Sequence, residues 1–338
     1  MNTIEQLEAK LADPSEALLA DLKKIEGDIV LLGVGGKMGP SLARLLINAI
    51  RETGADKNVI GVSRFSEKGL REQLEADGVQ TIACDLLDDE QLQKLPEVPN
   101  VIYLAGNKFG TTGNESFTWA MNAYLPGRVA EKYRKSRIVA FSSGNVYPFT
   151  QVGYGGASEA TSPSPVGEYG QSCLGRERVF EYFAKKHRIP MVIYRLNYAI
   201  DMRYGVLLEI AESVKAGKPI NLAMGYANVI WQGDANEIAI RSLLACETPV
   251  RFLNVTGPET VSIRWAAEEF GRRLGIAPVF EGTESDSALL NNAAKCQQMF
   301  GYPRVSLLQM IDWVAEWVEA GGPTLNKPTH FQERKGTF

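Results

Sequence analysis

The chain has 338 residues, 45% hydrophobic and 22% charged, with a formal net charge of −4. That is enough for a full core in one large domain or two, and the interspersed acids and bases give no support for a basic surface for nucleic acid or anionic lipid. No apolar run approaches a membrane span, and residues 1–28 carry acids from residue 5 onward without a signal-type apolar stretch, so no membrane and a cytoplasmic address are expected.

The chain opens with helical spacing at Ile4, Leu7 and Leu11, then at Leu18, Leu19, Leu22 and Ile25, broken at Pro14-Ser15. This predicts a helical extension over residues 1–27 packed on the main body. From residue 28 the texture changes. Short apolar runs (DIVLLG, NVIGVSRF, VQTIACDL, NVIYLAG, RIVAFSS, PMVIYRLN) alternate with helical stretches, among them one long helix over SFTWAMNAYLPGRVAEKYRK. Strands without polar alternation, separated by amphipathic helices, predict an α/β fold with a doubly wound parallel sheet over 28–198. A looser, mainly helical substrate domain is expected over 199–338, with helices near 205–216, 236–246, 263–274 and 308–320. Within it, 228–258 should return to the sheet half, VRFLNVT being a strand. The Gly/Ser/Pro-rich stretch 150–166 reads as a loop flanking the site.

LLGVGGKMGPSLARLL places Gly33, Gly36 and Gly39 between the first strand and the first helix of that sheet. Close backbone approach and a free helix N-terminus are what a dinucleotide pyrophosphate requires, with Lys37 and Met38 in the same turn. At the end of the second strand, the position of a ribose-binding acid holds Ser63, followed by Arg64. A hydroxyl and a guanidinium suit a 2′-phosphate, so NADP is expected over NAD. Asp85 after the third strand either accepts from the adenine or caps the next helix.

The motifs GVGGKMG, CDLLD, YLAGNK, FSSGNVY, YGQSC, RLNYA, WQGDANEIAIRSLL and FLNVTGPETVSI resemble those of the extended and atypical short-chain dehydrogenase/reductases, which include NAD-dependent sugar-nucleotide epimerases and dehydratases. The resemblance spans about residues 28–320. It implies a Rossmann domain, a smaller C-terminal substrate domain, a site in the cleft between them, and a homodimer. Leu86, Leu104, Ala105, Gly106, Tyr169 and Asn197 would join the glycine loop around the dinucleotide. Ser143 matches the hydroxyl that holds the reacting oxygen, and Tyr169 matches the general acid/base.

At the position of the family's lysine this chain has Cys173. A free tyrosine titrates near pH 10, and a neighbouring cation favours its phenolate. With no lysine there, the charge could come from the nicotinamide ring, from Lys108 after the fourth strand, or from Arg176 one turn along the helix. Alternatively Tyr169 stays protonated and only polarises a carbonyl. Cys173, near a helix N-terminus, could also be a reactive thiol or a packing residue. The other cysteines, Cys84, Cys246 and Cys296, have no CxxC spacing and are read as reduced. His187, near an exposed helix end, and His330, in a polar tail, are read as non-catalytic, so no metal site is expected.

Loop 150–166, Tyr154, Met202, Arg203, Tyr204 and Trp231 are expected to line the substrate pocket, with Tyr198 at its rim. The function expected is NAD(P)-dependent oxidation or epimerisation of a small sugar-like or hydroxy-acid substrate. A nucleotide-binding sensor or scaffold, or a non-redox lyase or isomerase, are the alternatives.

Overall fold

A computed structural model describes residues 1–108, 110 and 113–336. Seven strands form one sheet, all paired in parallel: β1 (Ile29–Leu32), β2 (Val59–Ser63), β3 (Gln80–Ala83), β4 (Asn100–Tyr103), β5 (Arg137–Ser143), Met191–Leu196 and Arg251–Val255. Their order across the sheet is β3-β2-β1-β4-β5, then Met191–Leu196, then Arg251–Val255 at the edge. This is the doubly wound order, which reverses between β1 and β4 and opens a crevice at the carboxyl ends of those strands.

Strand periodicity sends alternate side chains to opposite layers. Ile29, Leu31 and Val59 face a core with helices α2 (Glu16–Leu22), α3 (Gly39–Thr53), α4 (Leu70–Asp77) and, later in the chain, α10 (Gln232–Arg241). Val30, Leu32 and Ile60 face the other, with α5 (Asp89–Lys94), α7 (Leu125–Lys132) and α8 (Gly167–His187). A separate core joins α9 (Val206–Lys215), α11 (Ile263–Leu274) and α13 (Leu307–Glu319). The N-terminal extension serves both halves. Leu7 and Leu11 of α1 (Ile4–Leu11) enter the C-terminal core, whereas Leu18 and Leu22 of α2 enter the sheet core.

Two expected elements are corrected. The single long helix over 116–135 is instead α6 (Glu115–Trp119), a π-helical turn (Ala120–Tyr124) and α7. Helix α10 begins at Gln232 rather than near 236, then tightens into a 3₁₀ turn at Ser242–Ala245. Buried polar residues conceal its start, because Gln232 and Asn236 both donate to the Ser41 hydroxyl at 2.8 and 2.9 Å. No helix among the described residues is long and apolar enough to cross a membrane.

Candidate active site

Three connected cavities run along the carboxyl edge of the sheet. The first, about 300 Å³, is lined by Gly33, Gly36, Ser63, Arg64, Asp85 and Leu86, with Leu104, Ala105 and Gly106 on the β4 side. The glycines shape it. Gly33 has φ +91°, and a Cβ there would lie 2.7 Å from the Ala105 amide; a Cβ on Gly39 would strike the Val34 carbonyl. Gly36, by contrast, meets only the Gly33 carbonyl at 3.4 Å, so its side opens into the trough. Asp85 does not cap α5; Asp88 does, accepting from Glu90 and Gln91. The Asp85 carboxylate instead accepts from the Leu87 amide at 3.1 Å and turns the loop.

The second cavity, about 210 Å³, is lined by Lys37, Met38, Gly39, Lys108, Tyr169 and Arg176. The third, about 180 Å³, shares Lys37, Lys108 and Tyr169 with it and adds Ser143, Asn197 and Tyr204. Ser143 ends β5 and Tyr169 sits in the first turn of α8, and both line the third cavity, where the Ser143 hydroxyl donates to Asn145 Oδ1 at 3.1 Å. Burial pushes the Tyr169 phenol well above its ordinary pKa, the Cys173 thiol adds to this, and Arg176 and Ser143 oppose it. The phenol is therefore a proton donor at neutral pH.

Cys173 is fully buried among Val146, Tyr147 and Tyr169. Burial raises its pKa, so the expected lowering by the helix N-terminus does not prevail, and it behaves as a packing thiol. One turn on, the Arg176 guanidinium is buried beneath the second cavity. It donates to the Phe141 carbonyl at 2.8 Å and to Asn122 Oδ1 at 2.5 Å. Asn122 lies in the π-helical turn and also bonds both backbone groups of Asn107 and the Ser172 hydroxyl, all at 2.8–2.9 Å. The π-helical turn presents Asn122 to Arg176 and Asn107, behind the cavity lining. Asn122 had no place in the sequence expectation; a lone buried Asn inside an apolar helix pattern was its available signal. Below β5, Ser142 donates to Glu177 at 2.6 Å, and Glu177 is paired with the buried Arg195.

Several expected pocket residues lie elsewhere. Tyr154 is 83% exposed, while Met202 and Trp231 are in the C-terminal core. Loop 150–166 is pinned to the C-terminal half through Val152 to Asp286 and Ala157 to Leu290, and lines none of the three cavities. Arg203 is held by Asp201 and Glu8. Tyr204 does line the third cavity. Asn197 is there too, buried, with no partner for Nδ2 among the described residues. Tyr198 has φ +44°, a strained conformation at the junction of the two halves. His187 is bonded to Glu131 on the outer face, and no cluster of three potential metal ligands occurs among the described residues. A larger hollow of 680 Å³ beside α9 and α13 lies apart from Ser143 and Tyr169.

The model of the NAD dependent epimerase/dehydratase family matches residues 29–223. No curated protein matches. Among solved structures, UDP-glucuronic acid 4-epimerase from Bacillus cereus, in complex with UDP-glucuronic acid and NAD, is similar at 19% identity and TM-score 0.69, covering 86% of this chain and 99% of that one. UDP-glucose 4-epimerase from Thermotoga maritima, with UDP-glucose, is similar at 17% identity and TM-score 0.67, covering 87% and 99%. The UDP-Glc/GlcNAc 4-epimerase of Campylobacter jejuni is similar at 19% and TM-score 0.70, covering 86% and 98%.

Proposed function

The chain belongs to the NAD dependent epimerase/dehydratase family, a family of enzymes, and from that premise we propose that it is a dinucleotide-dependent oxidoreductase or epimerase acting on a small sugar-like or hydroxy-acid substrate. The observation that carries this reading is that Ser143 and Tyr169 line one cavity, which adjoins a glycine-walled trough. The trough fits a dinucleotide, since Gly33 and Gly39 allow no side chain and Gly36 is open. The unpartnered Asn197 Nδ2 suits a carboxamide or substrate oxygen beside it.

A bound nicotinamide supplies the site for hydride donation or acceptance. The chain's own groups manage the oxygen: Ser143 orients it and Tyr169 gives or takes its proton, with Arg176 as the buried cation that opposes the rise in the phenol pKa. Because the phenol is protonated at neutral pH, carbonyl reduction is the favoured direction there, and oxidation strengthens as pH rises. Purified protein should bind the dinucleotide and, across a panel of sugars and sugar acids, give either a nicotinamide absorbance change or an epimerised product. Dinucleotide binding with neither outcome would overturn the enzymatic reading in favour of a sensor.

Two substitutions test the trough. Gly36→Val is expected to leave thermal stability within a few degrees, because its Cβ makes only a van der Waals contact with the Gly33 carbonyl at 3.4 Å, while weakening dinucleotide binding at least about tenfold by filling the phosphate seat. A large loss of stability instead would mean that Gly36 is needed by the turn. We assign NADP rather than the NAD of the Bacillus cereus complex, because Ser63 and Arg64 hold the place of a ribose-binding acid. Arg64→Ala should then raise the Kd for NADP by about tenfold or more and that for NAD by less than about threefold. Tighter wild-type binding of NAD would reverse the assignment.

A further inference from the structure

The third cavity takes one wall from the far end of the chain. Thr329 lines it together with Ser143, Tyr169 and Asn197, and comes from a segment, residues 323–336, that forms no helix or strand. This irregular strap is fastened to both halves of the molecule. On the substrate half, the Leu325 amide donates to the Arg203 carbonyl at 2.9 Å, and Phe331 is buried in the C-terminal core. Arg334 then bridges the halves. It donates to the Ala223 and Ser287 carbonyls at 3.2 and 2.9 Å, and its guanidinium stands 4.5 Å from the centre of the Phe149 ring. Gly336 packs on the first residue of α8, where a Cβ on Gly167 would lie 2.2 Å from the Gly336 carbonyl oxygen. Ordering an irregular segment costs backbone entropy at every residue, and this series of anchors offsets it.

Between the anchors, Thr329 is latched. Its amide and its hydroxyl both donate to the Glu209 carboxylate of α9, the hydroxyl at 2.8 Å, and the hydroxyl accepts from the Phe331 amide at 3.2 Å. Oγ1 is thereby engaged as donor and as acceptor, which leaves the γ-methyl as the part of the side chain that a ligand can meet. Thr329 is 1% exposed, so the strap lies closed on the cavity.

Size and lining then define what the cavity takes. It measures about 180 Å³, below the range of roughly 300–1,000 Å³ usual for drug-sized ligands. The trough and the second cavity, about 300 and 210 Å³, are the room for the dinucleotide. Ser143, Asn145 and Asn197 supply hydroxyl and amide groups to the lining, and Asn197 Nδ2 has no partner among the described residues. Such a lining suits the hydroxyls of a sugar, and the volume suits one ring without a nucleoside diphosphate attached.

Resting on the function proposed above, we propose that residues 323–336 are a specificity cap. The latched Thr329 limits the length of substrate that the cavity takes, so the chain acts on a free sugar or sugar acid and excludes its nucleotide-linked form.

Titration calorimetry on the full chain, with and without saturating dinucleotide, tests it. The probes are four- to six-carbon aldoses, aldonates and uronates, set against UDP-glucose and UDP-glucuronic acid. At least one free sugar or acid is expected to bind wild type about tenfold or more tighter than either UDP-linked probe. Glu209→Ala with Arg334→Ala frees the strap at latch and bridge and leaves Phe331 in the core. In that variant the discrimination should fall at least about tenfold through gained UDP-sugar affinity, and each single variant should move it the same way should the pair not fold. Thr329→Phe keeps the amide latch but fills the cavity, and should weaken the free ligand about tenfold or more. Dinucleotide affinity should stay within about threefold there, because Thr329 lines neither the trough nor the second cavity. The proposal falls if UDP-linked probes bind wild type as tightly as free ones, or if no free probe binds. It falls equally if freeing the strap leaves the discrimination unmoved, or lowers it only by loss of free-sugar affinity, which a merely structural strap would do. Failure of the functional reading looks different: the cap variants would shift the discrimination in a protein that takes no dinucleotide or turns nothing over.

Discussion

Replacing Tyr169 by phenylalanine is expected to lower turnover at least about tenfold, within the ~10²–10⁴ range typical of general acid–base groups, while dinucleotide affinity stays within about threefold. The ring is packed with Val146, Tyr147 and Cys173, and phenylalanine keeps all of that surface. Only the hydroxyl is removed, from a residue that shares its cavity with Ser143. Loss of rate without loss of fold is therefore the signature. The wild-type pH profile supplies a second check. Burial holds the phenol protonated through neutral pH, so the reduction rate should be level there, and the oxidation rate should climb into the alkaline range. In Tyr169→Phe that alkaline rise should vanish. An unchanged rate would remove Tyr169 from the chemistry.

What the sequence made legible, and what it concealed, divides along physical lines. Parallel strands buried on both faces read as unbroken apolar runs, so β1, β2, β4 and β5 could be placed without long-range information. Helix α11 was legible to the residue because an amphipathic surface helix declares its period. The glycine cradle was legible because its requirement is local. The pocket was not. Met202 and Trp231 are large and apolar, and nothing in a sequence separates a residue that fills a core from one that lines a cavity. Helical periodicity likewise cannot show a π-helical turn, which inserts one residue into the ladder without changing composition, so Asn122 stayed hidden.

The lysines mark a subtler limit. Lys37 was read through its backbone, as part of the phosphate turn, yet its ammonium reaches the far wall at Ala199. Thr329 enters the site from the opposite end of the chain, a contact that only the closed fold defines. Of the three cations considered in place of a lysine at position 173, the structure puts Arg176 behind Tyr169 and Lys108 on the adjoining wall.

Exchanging the site's buried cation is the sharper test of how the chain works without a lysine at position 173. Arg176→Met is expected to raise the Tyr169 pKa further, moving the alkaline rise of the oxidation rate upward by about one unit or more, the usual worth of a nearby opposite charge, and lowering the neutral-pH oxidation rate by about tenfold. Thermal stability should fall as well, because the Phe141 carbonyl loses a buried donor, although Asn122 Oδ1 still accepts from the Asn107 amide. Cys173→Lys alone should not raise activity. It would bury an ammonium one turn from a guanidinium already paired to backbone, and repulsion between the two should destabilise the helix. Combined with Arg176→Met, the same lysine no longer meets the guanidinium, Lys108 being the cation that remains nearby, and the profile should return toward that of the wild type. Such a return would make Arg176 a positioning residue whose role is electrostatic, since rescue by a cation moved one turn is what a purely structural arginine could not give. A pH profile unmoved in Arg176→Met would refute that role, and higher activity in Cys173→Lys alone would show that the cysteine is simply a lost lysine.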